Sequence, residues 1–376
     1  MLRVVHVLPS LDIGGAERTL ERLLHAGLAE KTDAHVVSLG RDGPMRTAFE
    51  ASGAGVTWRS GSALGLLGEL QKEISRLQPD IVQGWMYHAN LAVSALDLVQ
   101  RGWPQVFWNI RQSLSAPKQD KAKTRAIIRA GALFSRRATG IIYNSHRARD
   151  QHQGIGYSAE RGVVIPNGFA SASHISRGPA GAILRDSLAI PRDATVIAHV
   201  GRYHPVKDHH SFLAAATRLA SARPQVRFVM AGREVVGGNK RILDSIPIDL
   251  RERFSLLGEQ DDIATILAAS DVFALSSLAE AFPNSLGEAM ASACACVATD
   301  VGDVAPLLEG AGIVVAPGRP DLLADAMQAF VDDPGLRRRS GLAARCRIQR
   351  DYTLEAAVAR YIGVYESAAA LTRNSR

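Results

Sequence analysis

At 376 residues the chain is longer than one hydrophobic core usually organises, so two domains are expected. Its composition, 47% hydrophobic and 22% charged, is that of an ordinary globular protein, and no apolar run approaches the roughly eighteen residues that a membrane-spanning helix needs. The net charge of +7 is unevenly placed, and the three cysteines, Cys294, Cys296 and Cys346, are too few and wrongly spaced for a disulfide scaffold or a zinc site, so they are expected to be reduced packing residues.

The N-terminus enters a strand over Arg3–Leu8 at once, without the charged region, apolar core and cleavage site of a signal peptide, which sets a cytoplasmic expectation. A helix is predicted over Gly15–Ala29, with Leu20, Leu23, Leu24 and Leu28 on its apolar face, and a second strand over His35–Leu39. The turn between the first strand and that helix carries Gly14 and Gly15, where a backbone without side chains can approach a ligand. The dinucleotide spacing G-x-G-x-x-G fails here, and no acidic residue closes the expected second strand, so a nicotinamide enzyme loses its support.

Further strands fit Ile81–Trp85, Gln105–Ile110 and Gly140–Asn144. Each runs into polar residues: His88 and Asn90 after the first, Arg111 after the second, and Asn144 at the end of the third. Ligands collect at the carboxyl ends of strands in open parallel sheets, so these tails are expected to line one cleft. From Arg111 to Gly140 eight bases face one acid, a patch suited to phosphates or an anionic membrane surface, although a solvated helix face has the same pattern. Phe134 is the only aromatic between Lys118 and Arg137, so the base-stacking interleaving of nucleic-acid binders is missing.

The strand from Val163 ends in the turn signal Pro166-Asn167-Gly168, and the Ser-, Gly-, Ala- and Arg-rich stretch beyond it reads as a linker. A second βα series follows, with strands at Thr195–Val200, Arg227–Ala231, Phe254–Leu257 and Val272–Leu275. Arg202 and Lys207 leave the first of these together, as a candidate diphosphate clamp. After the last, Glu280 sits in a loop and Glu288 about one turn into a helix that opens after Pro283 and Asn284. Two carboxylates bracketing a helix N-terminus that favours an anion call for hydroxyls around a phosphate, the pattern of a nucleoside diphosphate sugar. A capped helix with two solvated glutamates would look the same locally. No Asp-x-Asp occurs to chelate a metal on a diphosphate, and His204, His209 and His210 lack a carboxylate at ligand spacing, so no metal and no cofactor is expected. Leu354–Leu371 closes the chain as a helix with Ala357, Val358, Tyr361, Ile362, Val364 and Tyr365 on its apolar side.

Together, Gly14-Gly15-Ala16-Glu17, Trp85-Met86-Tyr87-His88-Ala89-Asn90, Ile165-Pro166-Asn167-Gly168, Gly201-Arg202 with Lys207, and Glu280-Ala281-Phe282-Pro283-Asn284 running to Glu288 resemble the retaining glycosyltransferases of family four, in the family's order. Asp261-Asp262, the Asp271 strand and Ala298 to Asp303 are similar to a branch used in bacterial surface-polysaccharide assembly. The resemblance implies the α/β GT-B fold, two doubly wound, Rossmann-like parallel-sheet domains facing a cleft. They would comprise residues 1–170 plus 352–376 on the acceptor side, a 171–190 linker, and 191–351 on the donor side, the two halves closing as a hinge. It implies that Glu280 contacts the donor sugar, Glu288 the ribose, and Arg202 and Lys207 the diphosphate. Gly14 and Gly15 would approach phosphate and sugar, and His88 would bond the sugar. Phe282, Pro283, Asn284 and Ser285 complete the expected donor site, with Trp85, Asn90, Arg111 and Asn144 as acceptor-side candidates.

Departures lie at Ala281, at Ala293-Cys294-Ala295-Cys296 and at Pro306, where a glycine, a glycine and proline, and a glutamate are common in the family. The expected activity is metal-independent, retaining hexosyl transfer from a UDP or GDP sugar to a lipid-linked saccharide, by an enzyme held at the inner face of the cytoplasmic membrane. Two other readings stay open: an epimerase of similar architecture, which would convert the donor alone, and a nucleotide-sugar-binding protein without activity.

Overall fold

The structure, a computed structural model, describes residues 1–58, 61, 63–99, 104–114, 122–170 and 178–373. It divides into two compact units, Met1–Gly168 with Leu354–Arg376, and Phe169–Thr353. Each is a parallel sheet whose strands are nearly continuous apolar runs, as strands covered by helices on both faces must be.

In the first unit the strands are β1 (Leu2–Leu8), β2 (Thr32–Ser38), β3 (Gly55–Trp58), β4 (Ile81–Trp85), β5 (Gln105–Ile110), β6 (Gly140–Tyr143) and β7 (Gly162–Val164), in the order β3-β2-β1-β4-β5-β6-β7. The strand order reverses between β1 and β4, so the loops that follow these two strands flank the crevice where ligands bind in such sheets. The helix expected over Gly15–Ala29 is interrupted: Gly15–Leu23 is α-helical, Leu24–Leu28 forms a π-type turn, and Gly27 takes φ 102°. The apolar face survives the break because Leu20, Leu23, Leu24 and Leu28 all remain buried. β2 then begins at Thr32, earlier than expected, where the Thr32 hydroxyl donates to the Leu28 carbonyl at 2.7 Å. The closing helix, Leu354–Arg373, buries Ala357, Val358, Tyr361 and Tyr365 in this unit's core.

The second unit comprises β8 (Thr195–Val200), β9 (Val226–Ala231), β10 (Phe254–Leu256), β11 (Val272–Leu275), β12 (Ala295–Thr299) and β13 (Gly312–Val315), ordered β10-β9-β8-β11-β12-β13. Its reversal lies between β8 and β11. Asp271, at the foot of β11, fastens that junction by accepting from the Val196 amide at 2.8 Å and from the Arg185 guanidinium at 2.7 Å. Arg185 belongs to a helix, Pro179–Ser187, which stands inside the stretch expected to be a linker. Proline at its first turn and the buried Arg185–Asp271 pair make it part of this unit. Residues 171–177 of that stretch lie outside the described residues.

Cys294 and Cys296 are buried packing residues as expected, but Cys346 is exposed. The helix Asn284–Ala291 ends in a Schellman turn, with Ala293 N–H bonded to Met290 O and Cys294 N–H to Ala289 O, both at 3.0 Å. Ala293 holds φ 60° there, a conformation that costs an L-residue with a Cβ about 1–2 kcal/mol and glycine nothing. Ala293→Gly is therefore expected to raise the melting temperature, by a net of about 0.5–1 kcal/mol after glycine's unfolded-state entropy. Calorimetry checks this; an unchanged or lower melting point means that the turn is unstrained.

Candidate functional site

In the second unit β8 delivers Gly201 to the reversal point and β11 delivers Ser276 beside it. After Gly201 the chain makes a single 3₁₀ turn, Pro205–Lys207. His204 Nδ1 caps it by accepting from the Val206 amide at 3.3 Å. Asp208, at φ 46°, closes it and caps the next helix by accepting from the Ser211 amide at 3.2 Å. Lys207 emerges from this turn toward β11's loop. Its Nζ lies 2.5 Å from Glu280 Oε1, and the Ser277 hydroxyl donates to the same oxygen at 2.7 Å. The expected sugar-binding acid and the expected phosphate-binding cation are thus one ion pair, 23% and 13% exposed. Arg202, expected as Lys207's equal, is exposed instead.

The helix Asn284–Ala291 has as its N-cap Pro283, which makes no side-chain cap bond, and its amino end follows Glu280 by four residues. Asn284, Ser285 and Glu288 are half-buried on its first turns. Phe282 and Pro283 are buried, and Phe282 stacks on Phe169 with ring centroids 6.2 Å apart, so it holds the loop from inside and does not face a ligand. Gly302, at φ 57°, presses against the same loop: a Cβ there would lie 2.4 Å from Ala281 O. Two buried imidazoles stand behind the pair: His199, which sequence reasoning passed over, and His209, which it weighed only as a metal ligand. His199, on β8, has its Nε2 3.2 Å from Ser276 Oγ; His209 has its Nε2 3.3 Å from Gly201 O. Burial lowers the pKa of His199 well below the ordinary imidazole value, aided by the charges of His209 and Lys207, and lowers that of His209 to about 4.

In the first unit Gly14 is extended and Gly15 opens the helix. A Cβ on Gly15 would meet no atom within 4 Å, so nothing in the fold demands glycine there; a Cβ on Gly14 would meet Glu17 Oε2 at 2.3 Å. Burial raises the Glu17 carboxyl's pKa, while its own amide and Arg111 act the other way. Arg111 is half-buried and donates to Thr19 Oγ1 at 3.0 Å and to Asn167 Oδ1, tying the end of β5 to the first helix and to the Ile165–Gly168 turn. Three acceptor-side candidates are not available for direct contact. Trp85 is fully buried, stacked on Tyr361 with its Nε1–H donating to His6; Asn90 is buried with its amide on Asn109 O; Asn144 is buried as well. Trp85 and Asn144 belong to strands covered on both faces, where a residue at a strand end can point inward, and Asn90 sits on the inner side of the helix Met86–Val99. His88 does reach the surface, one turn into the helix Met86–Val99, after Met86 at φ 65° bends the chain sharply out of β4. Partial desolvation and the Lys123 ammonium lower its pKa.

Lys123 belongs to the helix Ala122–Phe134, where Lys123, Arg125, Arg129 and Leu133 are exposed. Ile128 is buried; Arg137 pairs with Asp97 at 3.0 Å; Lys118, Asp120 and Lys121 lie outside the described residues. Among the described residues no group of three or more His, Cys, Asp and Glu side chains could hold a metal ion, and no helix is long and apolar enough to cross a membrane.

Residues 13–172 match the family described as Glycosyltransferase Family 4, and residues 194–333 match Glycosyl transferases group 1. The solved structure of Anabaena HepE in complex with UDP superposes with a TM-score of 0.86 at 21% identity, covering 97% of this chain and 100% of the other, which establishes the fold. The chain belongs to the family-four glycosyltransferases of GT-B fold. Among curated relatives, the Escherichia coli UDP-Gal:alpha-D-GlcNAc-diphosphoundecaprenol alpha-1,3-galactosyltransferase is 31% identical over 140 residues, 37% of this chain and 36% of that protein. A D-inositol 3-phosphate glycosyltransferase of Corynebacterium kroppenstedtii is 28% identical over 63% of this chain and 59% of its own. The chain therefore spans between about a third and three-fifths of the length of these relatives.

Proposed function

We propose that the protein is a retaining glycosyltransferase that moves a sugar from a UDP or GDP donor to a lipid-linked saccharide in surface-polysaccharide assembly, working at the inner, anionic face of the cytoplasmic membrane. The observation that carries the reading is the Lys207–Glu280 pair at the switch point of the second sheet, in the loop that leads into the helix Asn284–Ala291. Lys207 and the helix amides meet the charge that develops on the leaving diphosphate, with Arg202 adding a more solvated cation. Glu280 holds the sugar and Glu288 the ribose. In a front-face transfer the leaving phosphate takes the acceptor proton, which suits a site without a dedicated base. The UDP in the HepE complex and the diphosphoundecaprenol acceptor named for the Escherichia coli relative support the two substrate classes.

Thermal-shift screening against UDP, GDP and ADP sugars tests the donor, and NMR of the product's anomeric configuration tests retention. No stabilisation by any of them, or an inverted product, overturns the reading. Because side chains and amides neutralise the diphosphate, activity is expected to survive EDTA. Complete loss, restored by Mn²⁺ or Mg²⁺, would reveal a metal requirement.

The exposed bases on and after Ala122–Phe134 supply the membrane contact. Each contributes about 1 kcal/mol near an anionic bilayer, so Lys123, Arg125, Arg129 and Arg136 together give about a thousandfold gain at low salt. In liposome sedimentation the wild type should pellet with anionic and not with neutral vesicles, and a variant with those four changed to Ser should stay in the supernatant. Equal binding of the two proteins removes the membrane role.

A further inference from the structure

The segment that carries Lys207 is tied to the segment that carries Glu280 by two hydrogen bonds. Leu278 N–H donates to Val206 O at 2.7 Å, and the Ser276 hydroxyl donates to Lys207 O at 2.8 Å. The second comes from a side chain with no exposure to solvent, and it has a further partner, His199 Nε2 at 3.2 Å. A hydroxyl has one proton; since that of Ser276 goes to a carbonyl, its oxygen accepts from His199, which must carry its proton on Nε2. The carbonyl of Gly201 can only accept, so His209 carries its proton on Nε2 as well. Both Nδ1 atoms are left as bare acceptors, and both are buried with no hydrogen-bond partner. The two rings meet edge to face with centroids 4.7 Å apart. Two neutral imidazoles therefore brace the beginning and the end of the loop Gly201–Lys207, one directly and one through Ser276.

We infer that Ser276, backed by His199 and His209, is a positioning device that sets the reach of Lys207 toward the diphosphate and Glu280. The inference rests on the proposed reading of Lys207 as a phosphate contact but assigns residues that the reading does not use. Nothing about the sheet requires it: β8 and β11 are already paired through Val272 and Ile197 and stapled by Asp271. Ser276 comes one residue after β11 and spends its proton on the loop. Its removal leaves the Lys207 carbonyl and the His199 Nε2–H without their partners and lets the turn drift while the sheet stays intact.

The test compares affinity for UDP and GDP with that for UMP and GMP by titration calorimetry, because the β-phosphate preference isolates the cation's contribution. Lys207→Ala should cut that preference about tenfold, and Ser276→Ala about fivefold, with the monophosphate affinity unchanged. The double variant should be no worse than Lys207→Ala alone, since a misplaced lysine and a missing one lose the same contact. His209→Leu should resemble Ser276→Ala, whereas His209→Gln, whose amide can still donate to Gly201 O, should restore most of the preference. This second pair keeps the test decisive if Ser276→Ala does not fold.

If no nucleoside diphosphate binds, or Lys207→Ala leaves the preference intact, the reading of the site fails and the positioning role fails with it. If Lys207→Ala removes the preference while Ser276→Ala and His209→Leu retain it, the positioning role alone is wrong. Loss of monophosphate binding together with heat stability in both variants would mark them as general core residues and equally overturn it.

Discussion

Replacing Lys207 with alanine is expected to slow sugar transfer about 10²- to 10³-fold at saturating donor, the usual loss when one preorganised group that stabilises a leaving group is removed. The effect should fall on kcat, because charge grows on the diphosphate as the glycosidic bond breaks. Two consequences follow from the observed pairing. Lys207→Ala also strips Glu280 of its counter-ion and leaves a carboxylate that is only 13% exposed beside the developing phosphate charge. Lys207→Met, which keeps the stem, should therefore be as slow as alanine. Arg202→Ala should cost less, about tenfold, because an exposed cation is screened by water. Steady-state kinetics on the four proteins decides the matter: wild-type turnover in Lys207→Ala rules out the cation's role, and a larger loss in Arg202→Ala would transfer it to Arg202.

The fold was legible where a strand covered on both faces is also built of large apolar residues. Ile81–Trp85, Gln105–Ile110, Thr195–Val200 and Val272–Leu275 have the bounds that their apolar runs predict. The strands not singled out have particular reasons for their silence. β3 and β13 are each four residues at a sheet edge, mostly half-buried, and begin with glycine. β12 reads Ala-Cys-Val-Ala-Thr, too small-residued to signal a strand although every residue is buried. The break at Gly27 was hidden because the leucine stripe continues through the π-type turn.

The candidate site was legible as residue types and hidden as pairings. Lys207 and Glu280 lie 73 positions apart, and nothing local says that the ammonium reaches that carboxylate and not open solvent. Trp85 and Asn144 stand at strand ends as expected, but a strand buried on both sides gives no polar alternation to tell which side chains turn inward, and Asn90 falls on the inner face of the helix Met86–Val99. His199 offered one signal that could have been used: a histidine inside the otherwise apolar run Thr195–Val200 must find a buried partner, and Ser276 and His209 stand near the ends of neighbouring elements.

Deleting the closing helix, by ending the chain at Thr353, is expected to abolish folding of the first unit while the second still melts cooperatively. Tyr361 and Tyr365 are fully buried in the first unit's core, against Trp85 and Phe107. Truncating a buried large aromatic costs about 3–5 kcal/mol, so losing two approaches 6–10 kcal/mol, comparable with the total stability of a domain, about 5–15 kcal/mol. The phenols also satisfy buried amides: Asn109 donates to Tyr361 Oη at 2.7 Å, and Tyr365 donates to Gln83 Oε1. Each orphaned amide adds about 1–3 kcal/mol of desolvation cost. Burial raises both phenols' pKa, so both stay neutral through the working pH range. The milder Tyr361→Phe removes only the hydroxyl and should lower the first unit's stability by about 1–3 kcal/mol without unfolding it. Scanning calorimetry with limited proteolysis reads both outcomes. A truncated protein whose first unit melts as in the full chain would show that the helix is docked but dispensable, and that the strands β1 to β7 close their own core without it.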